Sequence, residues 1–120
     1  MIIVQEPWDA GDAAGLDAVL AAALRSEAGQ GQLVLLPLAD AAPAQAKDEA
    51  VTIAAIAAAA RSHGIYLCAA SFVREPESSA RLIGYLAAPD GTVLLRTPKI
   101  LPELVEGYVD ATAELAVPAR

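Results

Sequence analysis

Aromatic side chains make up only 4% of the 120 residues, and the chain holds one cysteine, Cys68, and one histidine, His63. A single thiol excludes an internal disulfide framework. A single imidazole, with no Cys or carboxylate placed to complete a ligand set, excludes a zinc-type centre. Basic residues are few, 8 against 15 acidic ones, for a formal net charge of −7. The clustered Lys and Arg that hold nucleic acid or an anionic membrane surface are therefore missing, and neither is expected as a partner. Apolar runs are broken by charge or proline well short of a membrane span. Met1-Ile2-Ile3-Val4-Gln5 lacks the basic start of a secretory signal, so the expected address is the cytoplasm. Gly11-Asp12-Ala13-Ala14-Gly15 has neither the Rossmann glycine spacing nor a P-loop lysine and reads as a helix start. No cofactor and no metal are expected.

What the chain does have is alanine and aliphatic residues, which bring the apolar share to 56%. Alanine favours helices that pack closely. The length suits a single domain, here residues 1–120 with a weakly patterned acidic tail from about 103.

The β-branched run Ile2-Ile3-Val4 predicts a first strand. Asp9 or Asp12 caps a following helix, whose apolar face is Leu16, Val19, Leu20, Ala23 and Leu24, with Gly29 and Gly31 ending it. Leu33-Val34-Leu35-Leu36-Pro37 is apolar without alternation, as in strands covered on both faces. An Ala-rich helix is expected over Lys47 to Ser62, with Gly64 as its stop. Ile65 to Phe72 reads as a third strand, Arg74 to Ser79 as an exposed turn, and Leu82 to Ala87 as a fourth strand. Pro89-Asp90-Gly91 signals a hairpin into a fifth, Thr92 to Thr97. Ala113 to Val117 suggests one more short strand. The order β-α-β-α-β-β-β gives a mixed α/β sheet with two helices on one face and nothing left for the other.

Leu33 to Pro37, the Ala-rich helix and strand spanning Ile53 to Ala70, the Pro89-Asp90-Gly91 hairpin and Arg96-Thr97-Pro98-Lys99-Ile100-Leu101 occur in an order that resembles the nitrilase, or carbon–nitrogen hydrolase, superfamily. The resemblance covers nearly the whole chain. It implies one half of an α-β-β-α sandwich. Members of that superfamily hydrolyse amides or nitriles with a Glu base, a Lys and a Cys nucleophile. A thiolate attacks carbon, the carboxylate shuttles the proton, and the ammonium stabilises developing negative charge.

Carried over residue by residue, the resemblance matches Lys99 to the lysine and Glu106 to a second glutamate. Leu38 occupies the general-base position and cannot take a proton. Leu82 stands near the place where the family often has Asn, and no cysteine follows Lys99. Asp40 is the nearest carboxylate to the vacant base position. Cys68, among Tyr66, Leu67, Ala69 and Ala70, reads as a buried structural thiol. His63 suits a helix C-terminus.

The expected protein is thus a nitrilase-like hydrolase half, inactive as this chain, with a small amide or nitrile as its class of substrate. The alternative is a non-catalytic interaction or regulatory module. Either way the bare face calls for a C-terminal half or a second copy, that is, a homo-oligomer. An unrelated nucleotide- or flavin-binding α/β domain is disfavoured by the missing Gly-rich loop.

Overall fold

The structure is a computed structural model and describes residues 2–26, 33–39, 46–74 and 80–98. Its elements are β1 (Ile2–Ile3), α1 (Ala13–Ser26), β2 (Leu33–Leu38), β3 (Lys47–Asp48), α2 (Glu49–His63), β4 (Tyr66–Arg74), β5 (Arg81–Ala87) and β6 (Val93–Thr97). They form one mixed sheet in the order β1-β2-β4-β5-β6. β1, β2 and β4 are parallel, and β5 and β6 are antiparallel additions. β3 pairs with the last two residues of β4, beyond the stretch that β2 occupies.

Local chemistry accounts for most of these boundaries. Asp12 Oδ1 accepts the Gly15 amide at 2.9 Å, satisfying one of the free donors at the start of α1. Asp9 Oδ2 accepts the Gly11 amide, which makes the Gly11–Gly15 stretch a helix entry. Gly64 ends α2 at φ 62°, a left-handed conformation that glycine adopts without penalty. The β5–β6 hairpin turns at Asp90-Gly91, where Asp90 accepts the Thr92 amide at 2.8 Å and Gly91 has φ 91°.

Two expectations need correction. The second helix starts at Glu49, because Lys47 and Asp48 extend into β3 instead. β4 runs on to Arg74, so that residue is strand and not turn. Both changes have one cause: the extra length of β4 supplies Val73 and Arg74 as partners for Lys47 and Asp48. The expected elements at Gly29 to Gly31 and Ala113 to Val117, and Asp40, lie outside the described residues.

The core lies mainly between the helices and one face of the sheet. Leu16 and Leu20 of α1 and Ile56 and Ala60 of α2 pack in one cluster with Val34, Leu67, Ala69, Ile83 and Tyr85. Both helices therefore cover the same face, as the element order implies. The opposite face carries a smaller cluster of Leu33, Leu35, Cys68 and Leu86, with Tyr66 and Leu95 against it.

Within the chain Leu33 is 3% exposed, Cys68 2% and Leu86 0%. Leu35, Cys68, Leu86 and Leu95 sit opposite one another across four strands.

Candidate functional site

Strand pairing builds the candidate site as a row across the sheet. Leu38 of β2 is opposite Ala70 of β4, Ala70 is opposite Gly84 of β5, and Gly84 is opposite Thr97 of β6. Directly paired residues project from the same face. Ala70 shares the face of Cys68, two residues away, so the row lies on the side away from the helices. Its ends are three strand spacings apart, about 14 Å. The two residues between them, Ala70 and Gly84, have the smallest side chains available.

Leu38 ends β2 and is 48% exposed, an unusual place for leucine. Its position is set by Pro37. Proline has no amide proton to give to the ladder, and the β2–β4 register shifts between Leu35 and Leu38. Trp8 braces the irregularity. Its buried indole lies in the main core, and Nε1 donates to the Pro37 carbonyl at 2.6 Å. Beyond the shift, the Ala39 amide returns to the ladder and donates to the Ala70 carbonyl at 2.9 Å.

Thr97 closes the row at the end of β6 and is buried. Lys99 and Glu106, the two residues that the resemblance assigns to catalysis, lie outside the described residues, as does Asp40. The structure thus aligns Leu38, which the resemblance assigns to the base position, with Thr97 near the end of β6. Leu82 lies in β5, opposite Phe72.

Cys68 sits in the neighbouring row between Leu35 and Leu86. Burial pushes its thiol up to about 12, so it is protonated and inert at neutral pH. His63 Nε2 lies 2.6 Å from Asp17 Oδ1 and ties α2 to α1, a partner the helix-end reading did not anticipate. Among the described residues, no group of three or more His, Cys, Asp or Glu could hold a metal ion. No helix among them is long and apolar enough to cross a membrane.

Sequence reasoning missed a polar cluster on the helix face. Glu49, the first residue of α2, accepts the Tyr85 hydroxyl at 2.6 Å. It also takes a two-pronged contact from Arg96, through Nε and through Nη2, the latter at 3.2 Å. The Arg96 guanidinium holds the Glu49 carboxyl below its ordinary value, with Tyr85 adding to the effect against the cost of burial. Burial and the facing carboxylate push the Tyr85 phenol upward. These residues are 36 and 47 positions apart in the chain, so no local motif announces them. Two open grooves, of about 480 and 420 Å³, line the helix side, one between β1 and α1 and one between the helices. Neither touches the Leu38 row.

A mixed sheet with both helices on one face defines the class: half of an α/β sandwich. Solved structures narrow it further. The chain is similar to an amidase from Nesterenkonia sp., at 25% identity and a TM-score of 0.60, covering 78% of this chain and 40% of that one. It is similar to a CN-hydrolase superfamily protein from Xanthomonas campestris, at 25% identity and a TM-score of 0.59, covering 89% and 43%. A carbon–nitrogen hydrolase from Helicobacter pylori shares the fold at 16% identity and a TM-score of 0.64, covering 79% and 37%. No family model and no curated protein matches the chain. The fold is that of the nitrilase, or carbon–nitrogen hydrolase, superfamily. The chain spans about two fifths of the length of these structures, as an N-terminal half would.

Proposed function

We propose that this chain is a nitrilase-like half that carries the carbon–nitrogen hydrolase fold but does not turn over amides or nitriles by itself. The observation that carries the reading is the occupant of the β2 end. Leu38 stands there with no proton to exchange, aligned with the strand that leads to Lys99. The only thiol, Cys68, is buried and protonated, and so is unsuited to attack. Glu49 does not replace the missing base, because its carboxylate belongs to the helix face and is held by Arg96.

In the Nesterenkonia amidase, a variant with a glutamate replaced by leucine shows the acetamide moiety of fluoroacetamide added covalently at the active-site cysteine. By analogy, Leu38 blocks proton transfer more directly than it blocks occupancy of the site. What this chain then needs for any reaction is a nucleophile and a second sheet supplied from outside these 120 residues, by further chain or by a second copy.

The test is ammonia release from a panel of small aliphatic and aromatic amides and nitriles by the purified chain. The expected result is no turnover above the buffer rate, before or after alkylation of Cys68. Turnover that disappears on Lys99→Ala would overturn the reading. Light scattering across micromolar concentrations tests the second copy: a dimer supports it, and a monomer throughout leaves further chain as the source of the second sheet.

A further inference from the structure

β6 is an edge of the sheet: among the described strands it pairs only with β5, as β1 pairs only with β2 at the other edge. β6 is short, at five residues, and its pairing with β5 already contains an irregularity: Leu86 faces Leu95, whereas Ala87 faces Val93. The Asp90-Gly91 turn fixes register at the near end of this hairpin, and the irregularity lies between that turn and Arg96-Thr97 at the far end. Hydrophobic patterning offers little help, since a slip of two residues keeps every β6 side chain on its own face. That slip would displace Thr97 by about 6.6 Å along the strand and remove it from the row of Leu38.

The polar cluster falls at the point where such a slip would be felt. Arg96 is directly opposite Tyr85, and Tyr85 is directly opposite Ala69. This row alternates with its neighbour, so it is one residue from the Leu38–Ala70–Gly84–Thr97 row and projects from the other face. Glu49 reaches it from the first turn of α2 and receives both the Tyr85 hydroxyl and the Arg96 fork. Three elements, α2, β5 and β6, are joined through one carboxylate. A two-pronged guanidinium contact is directional and is lost if its strand slides.

We propose that Glu49, Tyr85 and Arg96 form a register lock that positions Thr97, at the end of β6, in line with Leu38. They are positioning residues. The proposal rests on the reading of the Leu38–Thr97 row as the site, but its test does not depend on hydrolysis.

Hydrogen exchange on the full chain tests it, comparing the wild type with Glu49→Gln, Arg96→Lys and Tyr85→Phe. Loss of the partly exposed Arg96 contact should speed exchange of the β6 amides about threefold, while those of β1, β2 and β4 keep their protection. Glu49→Asp should recover part of that protection. Tyr85→Phe retains the buried ring, so it stays folded if the charged variants do not. Uniform loss of protection across the sheet would overturn the proposal and reveal a general stabiliser; unchanged exchange in β6 would overturn it outright. Faster β6 exchange together with unexpected amide turnover would sink the proposed inactivity and leave the lock standing.

Discussion

On the face covered by helices, side chains from α1, α2 and four strands interlock; Glu49 is held by Tyr85 and Arg96 and the Pro37 carbonyl by Trp8, whereas the buried Thr52 hydroxyl of α2 has no hydrogen-bond partner among the described residues. On the opposite face a smaller apolar cluster adjoins a row of small or unusual residues, Leu38, Ala70, Gly84 and Thr97. The same strands serve both faces, because successive residues alternate between them. The difference teaches a division of labour: one face fixes where the strands lie, and the other uses that placement to align a site.

The comparison is sharpened most by a pair of truncations. Leu20→Ala opens a cavity between α1 and the sheet, where many neighbours are fixed, and should cost about 3–4 kcal/mol. Leu86→Ala, equally buried but beside the small residues Ala70 and Gly84, should cost about 2–3 kcal/mol because the site collapses more readily. Urea denaturation measures both. Equal losses would break the distinction between the faces.

Trp8→Phe comes next. It keeps an aromatic ring in the core and removes only the indole donor to Pro37. A loss of about 1 kcal/mol is expected, with faster exchange of the Ala39 amide, which closes the ladder beyond the irregularity. Faster exchange in β5 and β6 as well would show that the two ends of the row are not independently supported.

How much of this was legible depends on the range of the interaction. The β2 run, the Asp90-Gly91 turn and the Gly64 stop act within a few residues and could be read directly. β3 could not, since Lys47-Asp48 has no strand pattern and is extended only because β4 reaches Arg74. The Glu49 cluster was hidden for the same reason, being assembled from positions brought together by strand pairing alone.

A smaller effect separates Glu49 from the apolar core. Its carboxyl is held below its ordinary value of 4.5, chiefly by Arg96. Folding therefore gains stability from Glu49 above that value and loses it as pH falls through the lowered one. The pair is partly exposed, so the gain should stay below about 1 kcal/mol. Chemical denaturation of wild type and Glu49→Gln should show a difference at pH 7 that fades in acid. A difference that does not shrink as the pH is lowered would assign the effect to packing.

The smallest effect is expected at the residue most informative about function. Leu38 is 48% exposed at a strand end, and no described polar group depends on its side chain. Leu38→Glu should thus change stability by no more than about 0.5 kcal/mol. It restores a proton carrier to the base position but supplies no accessible thiolate, since Cys68 stays buried and protonated. Amide turnover should accordingly remain absent in the variant. Appearance of turnover would mean that a nucleophile other than Cys68 already serves the row. A stability loss above 1 kcal/mol would mean that Leu38 is packed, and that the face read as the site is held together much like the face that carries the helices.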